Sequence, residues 1–90
     1  MSIRASHILV NKHSLAVEII DELKAGMKFA KLAQKYSECP SRKKGGDLGT
    51  FRRGQMVKEF EKAAFSLNIG EITEQPIKTK FGYHVIQRTG

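Results

Sequence analysis

Short apolar runs near both ends of the chain and one in its middle predict four β-strands. The first spans residues 5–10, ends in an apolar Ile-Leu-Val run and stops at polar residues, which is typical of a central strand. The other three segments with strand character are residues 48–51, 72–79 and 83–86. Pro76 lacks an N–H group, so it confines the third strand to a sheet edge or to a short stretch after the proline.

Apolar residues at helical spacing predict two helices after the first strand. The first spans about residues 14–25, with Ser14 as its N-cap and Gly26 just past its end. The second carries an apolar stripe from Phe29 to Tyr36 and is basic on its opposite side.

A third helix is predicted over residues 56–67, with Gly70 as its stop. Residues 37–47 contain Pro40 and a glycine pair, which indicates a turn or short helix followed by a loop. The resulting order, β-α-α-α-β-α-β-β, predicts an α+β domain in which helices cover a small sheet of about four strands.

Composition limits the chain to one domain, residues 1–90, and excludes several classes of protein. The single cysteine forbids an intramolecular disulfide, and three scattered histidines do not form a structural zinc site, so we expect no metal or cofactor. No apolar run is long enough for a membrane span or a secretory signal, which predicts a soluble cytoplasmic protein. The net charge of +7 favours partners that carry phosphate groups.

Two histidines, His7 and His84, each lie within an apolar strand. If these strands pair, the two imidazoles can meet across the sheet, and Thr79 or Cys39 can extend the network. The alternative is that both are core histidines with satisfied hydrogen bonds. His13, in a polar turn, is predicted to be an ordinary surface residue.

Other residues leave functional and structural interpretations open. Cys39 is a nucleophile if a histidine lies beside it, but a lone cysteine can equally be an inert buried residue. Met56 and Phe60 are four residues apart on one face of the predicted third helix, a spacing that by itself predicts core packing.

Four motifs together resemble the parvulin family of peptidyl-prolyl cis/trans isomerases over almost the whole chain. They are HILV at 7–10, SECPS at 37–41, GGDLGTFRRGQMVKEFEKAAF at 45–65 and TKFGYHVI at 79–86. The resemblance implies a parvulin-like fold of the FKBP-like superfold, a small antiparallel sheet flanked by helices with a shallow apolar pocket for proline.

The resemblance also assigns site residues. It implies a pocket formed by Leu48, Met56 and Phe60, and a polar catalytic floor formed by His7, Cys39, Thr79 and His84. Of the remaining substrate-binding positions, Phe51 supports the pocket from behind, Gln55 meets the substrate backbone, and Phe81 replaces a serine found in some parvulins.

The predicted activity is non-covalent acceleration of rotation about unphosphorylated X-Pro bonds in peptides and folding proteins. Some parvulins carry aspartate at the position of Cys39, which disfavours covalent attack, although a thiolate role stays open. Phosphate-directed parvulins insert a long basic loop after the first strand, whereas only Asn11, Lys12 and His13 separate strand from helix in this chain.

Two other functions are weighed against the isomerase. One is a parvulin-fold chaperone or binding module with weak catalysis, and the other is a nucleic-acid binder, which is disfavoured because no aromatic stacking platform is evident. We expect a monomer. The early first strand suggests a stand-alone chain, and a domain cut from a larger chaperone is the alternative.

A cluster of basic residues predicts a docking surface for anionic membranes, separate from the pocket. It is formed by Lys24, Lys28, Lys31 and Lys35, which have no acidic neighbour between residues 23 and 37. The alternative is a solvated face that only keeps the protein soluble. Docking would place the cytoplasmic protein peripherally at the membrane surface.

Overall fold

Four antiparallel strands form one sheet in the computed structural model, which describes residues 1–90. Their spatial order is β2-β1-β4-β3, so β1 is central, as predicted. The strands are β1 (Ser2–Val10), β2 (Asp47–Arg52), β3 (Ile77–Thr79) and β4 (Gly82–Arg88).

Helices cover both faces of the sheet, which confirms the predicted α+β architecture and element order. They are α1 (His13–Lys24), α2 (Phe29–Tyr36), a 3-10 helix (Pro40–Lys44) and α3 (Lys58–Ser66). None of these helices is long and apolar enough to span a bilayer. Helices α1 and α2 pack on β1 and β4 over one face, whereas α3 packs on β3 and β4 over the other.

The first strand and first helix both begin earlier than predicted. Strand β1 starts at Ser2 because its first residues pair with β2, from Ser2 opposite Arg52 to Arg4 opposite Thr50. Helix α1 begins at His13 after Lys12, so Ser14 lies in its first turn and is not the N-cap. Gly26 follows the helix with φ of +102°, in agreement with its predicted role.

The predicted bounds of the third helix are wrong at both ends. Helix α3 begins at Lys58, so Met56 lies in the segment before the helix and does not share a helix face with Phe60. It ends at Ser66 because Leu67 is already extended, with ψ of 145°, and Gly70 lies in the following turn.

Pro76 limits the third strand as expected. Strand β3 spans only the three residues after Pro76 and lies at the sheet edge, while Ile72 makes an isolated bridge to Gln87. Strands β2 and β4 extend one or two residues beyond the predicted segments.

The alternation of side chains along β1 determines which of its residues face the candidate site. Ile8 and Val10 point into the core beneath α1 and α2, whereas Ile3 and Ala5 belong to the core beneath α3. Further along this second face, His7 lies where the core gives way to an open pocket. Because side chains alternate along β1, His7 lies on the same face of the sheet as Ile3 and Ala5, where the packed core ends and the candidate site begins.

Candidate active site

A mostly apolar cavity of about 500 Å³ opens between the sheet, α3 and the segment around Cys39. The structure brings together eight of the predicted site residues in its lining: His7, Cys39, Leu48, Gln55, Met56, Phe60, Phe81 and His84. Two predicted residues support the cavity without lining it. Phe51 is buried behind Phe60, with ring centroids 5.9 Å apart, and Thr79 is buried behind His84.

The two strand histidines meet on the cavity floor, as predicted. His7 Nδ1 lies 2.9 Å from His84 Nδ1, and His84 Nε2 lies 2.7 Å from Thr79 Oγ1. The rings are stacked 5.1 Å apart although their strand positions are not directly opposite, because His7 pairs with Ile86. The ring of Phe60 lies nearly perpendicular to both imidazoles, at 81° to His7 and 77° to His84. One aromatic side chain thus joins the apolar wall to the polar floor.

Burial makes both histidines neutral near pH 7. It lowers the pKa of His84 to about 4, and burial together with the neighbouring His84 lowers the pKa of His7 to about 4. A neutral imidazole has one donor and one acceptor nitrogen, so one Nδ1–H donates to the other Nδ1. The chain of hydrogen bonds ends at His7 Nε2, which is buried and has no partner. The floor is therefore polar and uncharged.

Cys39 is held by backbone hydrogen bonds and is not part of the imidazole network. Ser37 Oγ accepts hydrogen bonds from the N–H groups of Leu9, at 3.1 Å, and Cys39, at 3.3 Å. The N–H of Glu38 donates to the Leu9 carbonyl at 2.8 Å. No hydrogen bond joins the Cys39 thiol to His7 or His84, so of the two predicted extensions only Thr79 is realised.

The remaining predicted substrate-binding residues lie at the cavity rim. Gln55 Oε1 accepts a hydrogen bond of 2.6 Å from the N–H of Arg52, which leaves the amide Nε2 as a free donor. Phe81 is 61% exposed, and the ammonium of Lys80 lies 5.2 Å from its ring centroid. His13 is exposed, in agreement with its predicted surface position.

Sequence reasoning missed four lining residues, Leu9, Glu38, Pro40 and Val57. It also missed the buried Ser37, which holds the segment around Cys39 to β1. Leu9 could have been found, because a residue two positions after His7 shares its face of the strand. Glu38 gave no such signal. It is the only Asp, Glu, Lys or Arg residue in the lining.

A shallow apolar pocket above a neutral histidine pair, on an antiparallel sheet of order β2-β1-β4-β3, defines a parvulin-type isomerase domain. A family model described as "Rotamase: PPIC-type PPIASE domain" matches residues 7–90. The chain belongs to this family of peptidyl-prolyl isomerases, which confirms the predicted family and enzyme class.

Similar proteins include foldases and small parvulins. The foldase protein PrsA of Geobacillus kaustophilus is 52% identical over 97% of this chain and 31% of its own length. The crystal structure of PrsA from Bacillus subtilis has a TM-score of 0.95 and 51% identity, covering 99% of this chain and 35% of that one. The chain thus spans about a third of the curated relatives it matches.

A small parvulin matches over nearly its full length. The solution structure of NmPin, the parvulin of Nitrosopumilus maritimus, has a TM-score of 0.87 and 53% identity, covering 99% of this chain and 96% of that one. The individual roles of the site residues, the monomeric state and the cytoplasmic location stay predictions.

Proposed function

We propose that this domain accelerates cis/trans rotation about unphosphorylated X-Pro bonds, in peptides and in folding proteins, without a covalent intermediate. The observation that carries the proposal is the cavity itself, where Leu48, Met56 and Phe60 face the neutral pair of His7 and His84. Such a pocket can hold a proline ring against its apolar wall and place the preceding amide over the polar floor.

Preference for the twisted amide is sufficient for catalysis. The barrier to rotation about an X-Pro bond comes from the conjugation of the amide, and the twisted transition state has lost that conjugation. The twisted amide is less dipolar than the planar one. Transfer from water into a dry pocket therefore costs the twisted amide less free energy than the planar amide, which lowers the barrier. Each tenfold acceleration requires only ~1.4 kcal/mol of preference for the twisted form. The neutral histidines and the free Nε2 donor of Gln55 supply fixed polarity without a net charge.

The charge of the lining supports the preference for unphosphorylated substrates. No Lys or Arg lines the cavity. The only acidic side chain in the lining is the carboxylate of Glu38, which repels phosphate. The connection from β1 to α1 consists of Asn11 and Lys12 alone, with no room for a basic loop. We therefore expect phosphoserine-proline peptides to be poorer substrates than their unphosphorylated counterparts.

Met56→Ala tests the pocket assignment. Met56 is half-buried in the lining and lies outside α3, so its truncation should cost little stability while removing apolar contact with the proline ring. We expect kcat/KM for a proline tetrapeptide to fall about tenfold in a protease-coupled assay, which corresponds to ~1.4 kcal/mol of transition-state binding.

Met27→Ala is the matched control for this measurement. Met27 is 51% exposed and lies outside the cavity, so the same truncation there should leave kcat/KM unchanged. Wild-type activity in a folded Met56→Ala protein would remove Met56 from the proline pocket, and absence of activity in the wild type would overturn the proposed function.

Cys39→Asp tests whether catalysis is covalent. Aspartate keeps a polar group at the cavity edge but cannot replace a thiolate nucleophile, so we expect kcat/KM to stay within about tenfold of the wild type. Circular dichroism establishes that the variant is folded. Complete loss of turnover in folded Cys39→Asp and in Cys39→Ser would instead support covalent attack.

A second proposal, reversible docking on anionic lipid, is supported by four lysines: Lys24 at the end of α1, Lys28 just before α2, and Lys31 and Lys35 on α2. All four lysines are exposed, none forms an ion pair, and the exposed Met27 lies between Lys24 and Lys28, where its thioether can insert among lipid chains. Each lysine near an anionic membrane surface contributes ~1 kcal/mol of attraction. The cavity lies outside this set of residues, so a docked domain could still receive substrate.

Vesicle binding tests the lipid surface. We expect co-sedimentation with anionic but not neutral vesicles at low salt, weakening as salt rises. The triple variant Lys28→Glu, Lys31→Glu, Lys35→Glu should abolish binding and keep isomerase activity. Its charge-matched control, Lys12→Glu, Lys62→Glu, Lys78→Glu, should keep more binding because its exposed lysines are spread over other elements. Equal loss in both triples would show attraction to net charge alone.

A further inference from the structure

A β-bulge in β2 places Leu48 in the cavity wall. Thr50 lies opposite Arg4 and Asp47 lies opposite Ser6, so Leu48 and Gly49 together face the single residue Ala5. The extra residue reverses the alternation of the strand at this point. Gly49 has φ of +72°, which L-residues with a side chain rarely adopt. Bulges commonly redirect a side chain beside an active site, and here the redirected side chain is Leu48.

The carboxylate of Asp47 fastens both sides of this bulge. Asp47 Oδ1 accepts a hydrogen bond of 3.0 Å from the N–H of Gly49, within the bulged strand. The guanidinium of Arg4 reaches across from β1 with two bonds, 3.1 Å to Oδ1 and 2.6 Å to Oδ2. These bonds lower the pKa of Asp47 to about 2, so the carboxylate stays ionised throughout the neutral range.

The residue before Asp47 is tied to the polar floor. The N–H of His7 donates to the Gly46 carbonyl at 2.9 Å, and a Cβ on Gly46 would lie 2.5 Å from the His7 carbonyl oxygen. Asp47 therefore lies between a glycine pressed against the backbone of His7 and the leucine of the pocket wall. A shift at this carboxylate would alter the spacing between wall and floor.

We infer that Asp47, held by Arg4, is a positioning residue that sets the distance between the Leu48 wall and the His7 floor and thereby the fit of the proline ring. The inference rests on the proposed function. Arg4 is exposed and Asp47 is half-buried, and an ion pair of this kind contributes little to stability. The main consequence of the pair is therefore local geometry at the bulge.

Three variants separate the bonds of this arrangement. Asp47→Asn keeps a side-chain oxygen for the N–H of Gly49 and loses the charge that binds Arg4. Arg4→Gln removes the two guanidinium bonds alone, and Asp47→Ala removes all three hydrogen bonds. Arg42→Gln is the control. Arg42 is exposed, and its side chain forms no ion pair or hydrogen bond, so the substitution makes the same change in charge as Arg4→Gln without touching the bulge.

We expect KM for a proline tetrapeptide to rise about fivefold in Asp47→Ala and by about two- to threefold in Asp47→Asn and Arg4→Gln, with kcat changed less and Arg42→Gln unchanged. Backbone amide resonances of His7, Leu48 and Gly49 should shift in the first three variants. The resonances report the geometry even if the wild type proves inactive, so failure of the proposed function is distinguishable from failure of this inference. A lowered melting temperature with unchanged KM and unchanged Leu48 and His7 resonances in Asp47→Asn would overturn it.

Discussion

Phe60→Ala is expected to lower the free energy of unfolding by about 3–5 kcal/mol and to abolish measurable isomerase activity. Phe60 is 3% exposed and contacts the rings of His7, His84 and Phe51. Its removal therefore opens a cavity in the core and takes away the wall of the pocket at once. A domain of this size has about 5–13 kcal/mol of stability in total, so the loss is a large fraction of it. Urea unfolding measures the first effect and the peptide assay the second.

Phe60→Leu distinguishes loss of the site from loss of the fold. Leucine fills part of the volume and should keep the protein folded, but it lacks the aromatic ring that packs against both imidazoles. We expect kcat/KM to fall by about tenfold in this folded variant. Wild-type kcat/KM in Phe60→Leu would show that the aromatic contact with the histidines is unnecessary for turnover.

The fold was predictable because local pattern and tertiary packing agree along most of the chain. Most buried residues of the strand 5–10 are apolar, Ser6 and His7 being the exceptions, and the helix from Phe29 to Tyr36 buries only apolar residues. The failures occur where pairing overrides local pattern. Residues 2–4 lack a continuous apolar run, and they extend β1 because β2 supplies partners for them.

Met56 shows a different limit of sequence reasoning. Its spacing from Phe60 fits a helix, yet the chain enters α3 only at Lys58. Both residues still line the cavity, because the segment before the helix crosses the same face of the sheet. Periodicity alone predicted core packing for this pair, and the resemblance to parvulins was needed to predict that both residues lie in the pocket.

The polar floor was predictable and its support was not. Histidines in two apolar strands are unusual enough to suggest a pair, and the antiparallel pairing of β1 with β4 brings them together. The side chains of Ser37 and Asp47 accept hydrogen bonds from backbone N–H groups. Such groups occur in every sequence, so no pattern of side chains predicts these contacts. Glu38 lies beside the cavity because its N–H donates to the carbonyl of Leu9, in the part of β1 that no longer pairs with β2.

Acid should destabilise this protein well above the pH at which carboxylates titrate. His7 and His84 have a folded pKa of about 4, lowered from 6.5 mainly by burial. Between these values the unfolded chain binds more protons than the folded one, so stability falls as pH drops from about 6.5 towards 4. The loss is at most ~3 kcal/mol for each imidazole. Asp47 does not mask it, because its stabilising contribution is lost only as pH falls towards 2.

Urea unfolding of the wild type at pH 7.5, 6 and 5 measures this dependence. The value of kcat/KM at the same pH values should change little, because the folded imidazole pair takes up a proton only near pH 4. His13→Gln is the matched control, since His13 is exposed and outside the cavity, so its removal should leave the profile unchanged. His84→Asn should be less stable than the wild type at pH 7.5, because it breaks the bonds to His7 and Thr79, and should show a shallower pH dependence, because one of the two buried imidazoles is gone. Equal unfolding free energies of the wild type at pH 7.5 and 5 would mean that the pair accepts protons as readily in the folded state as in the unfolded chain. The lowered pKa of the pair, and a floor that stays neutral at pH 5, would then have to be abandoned.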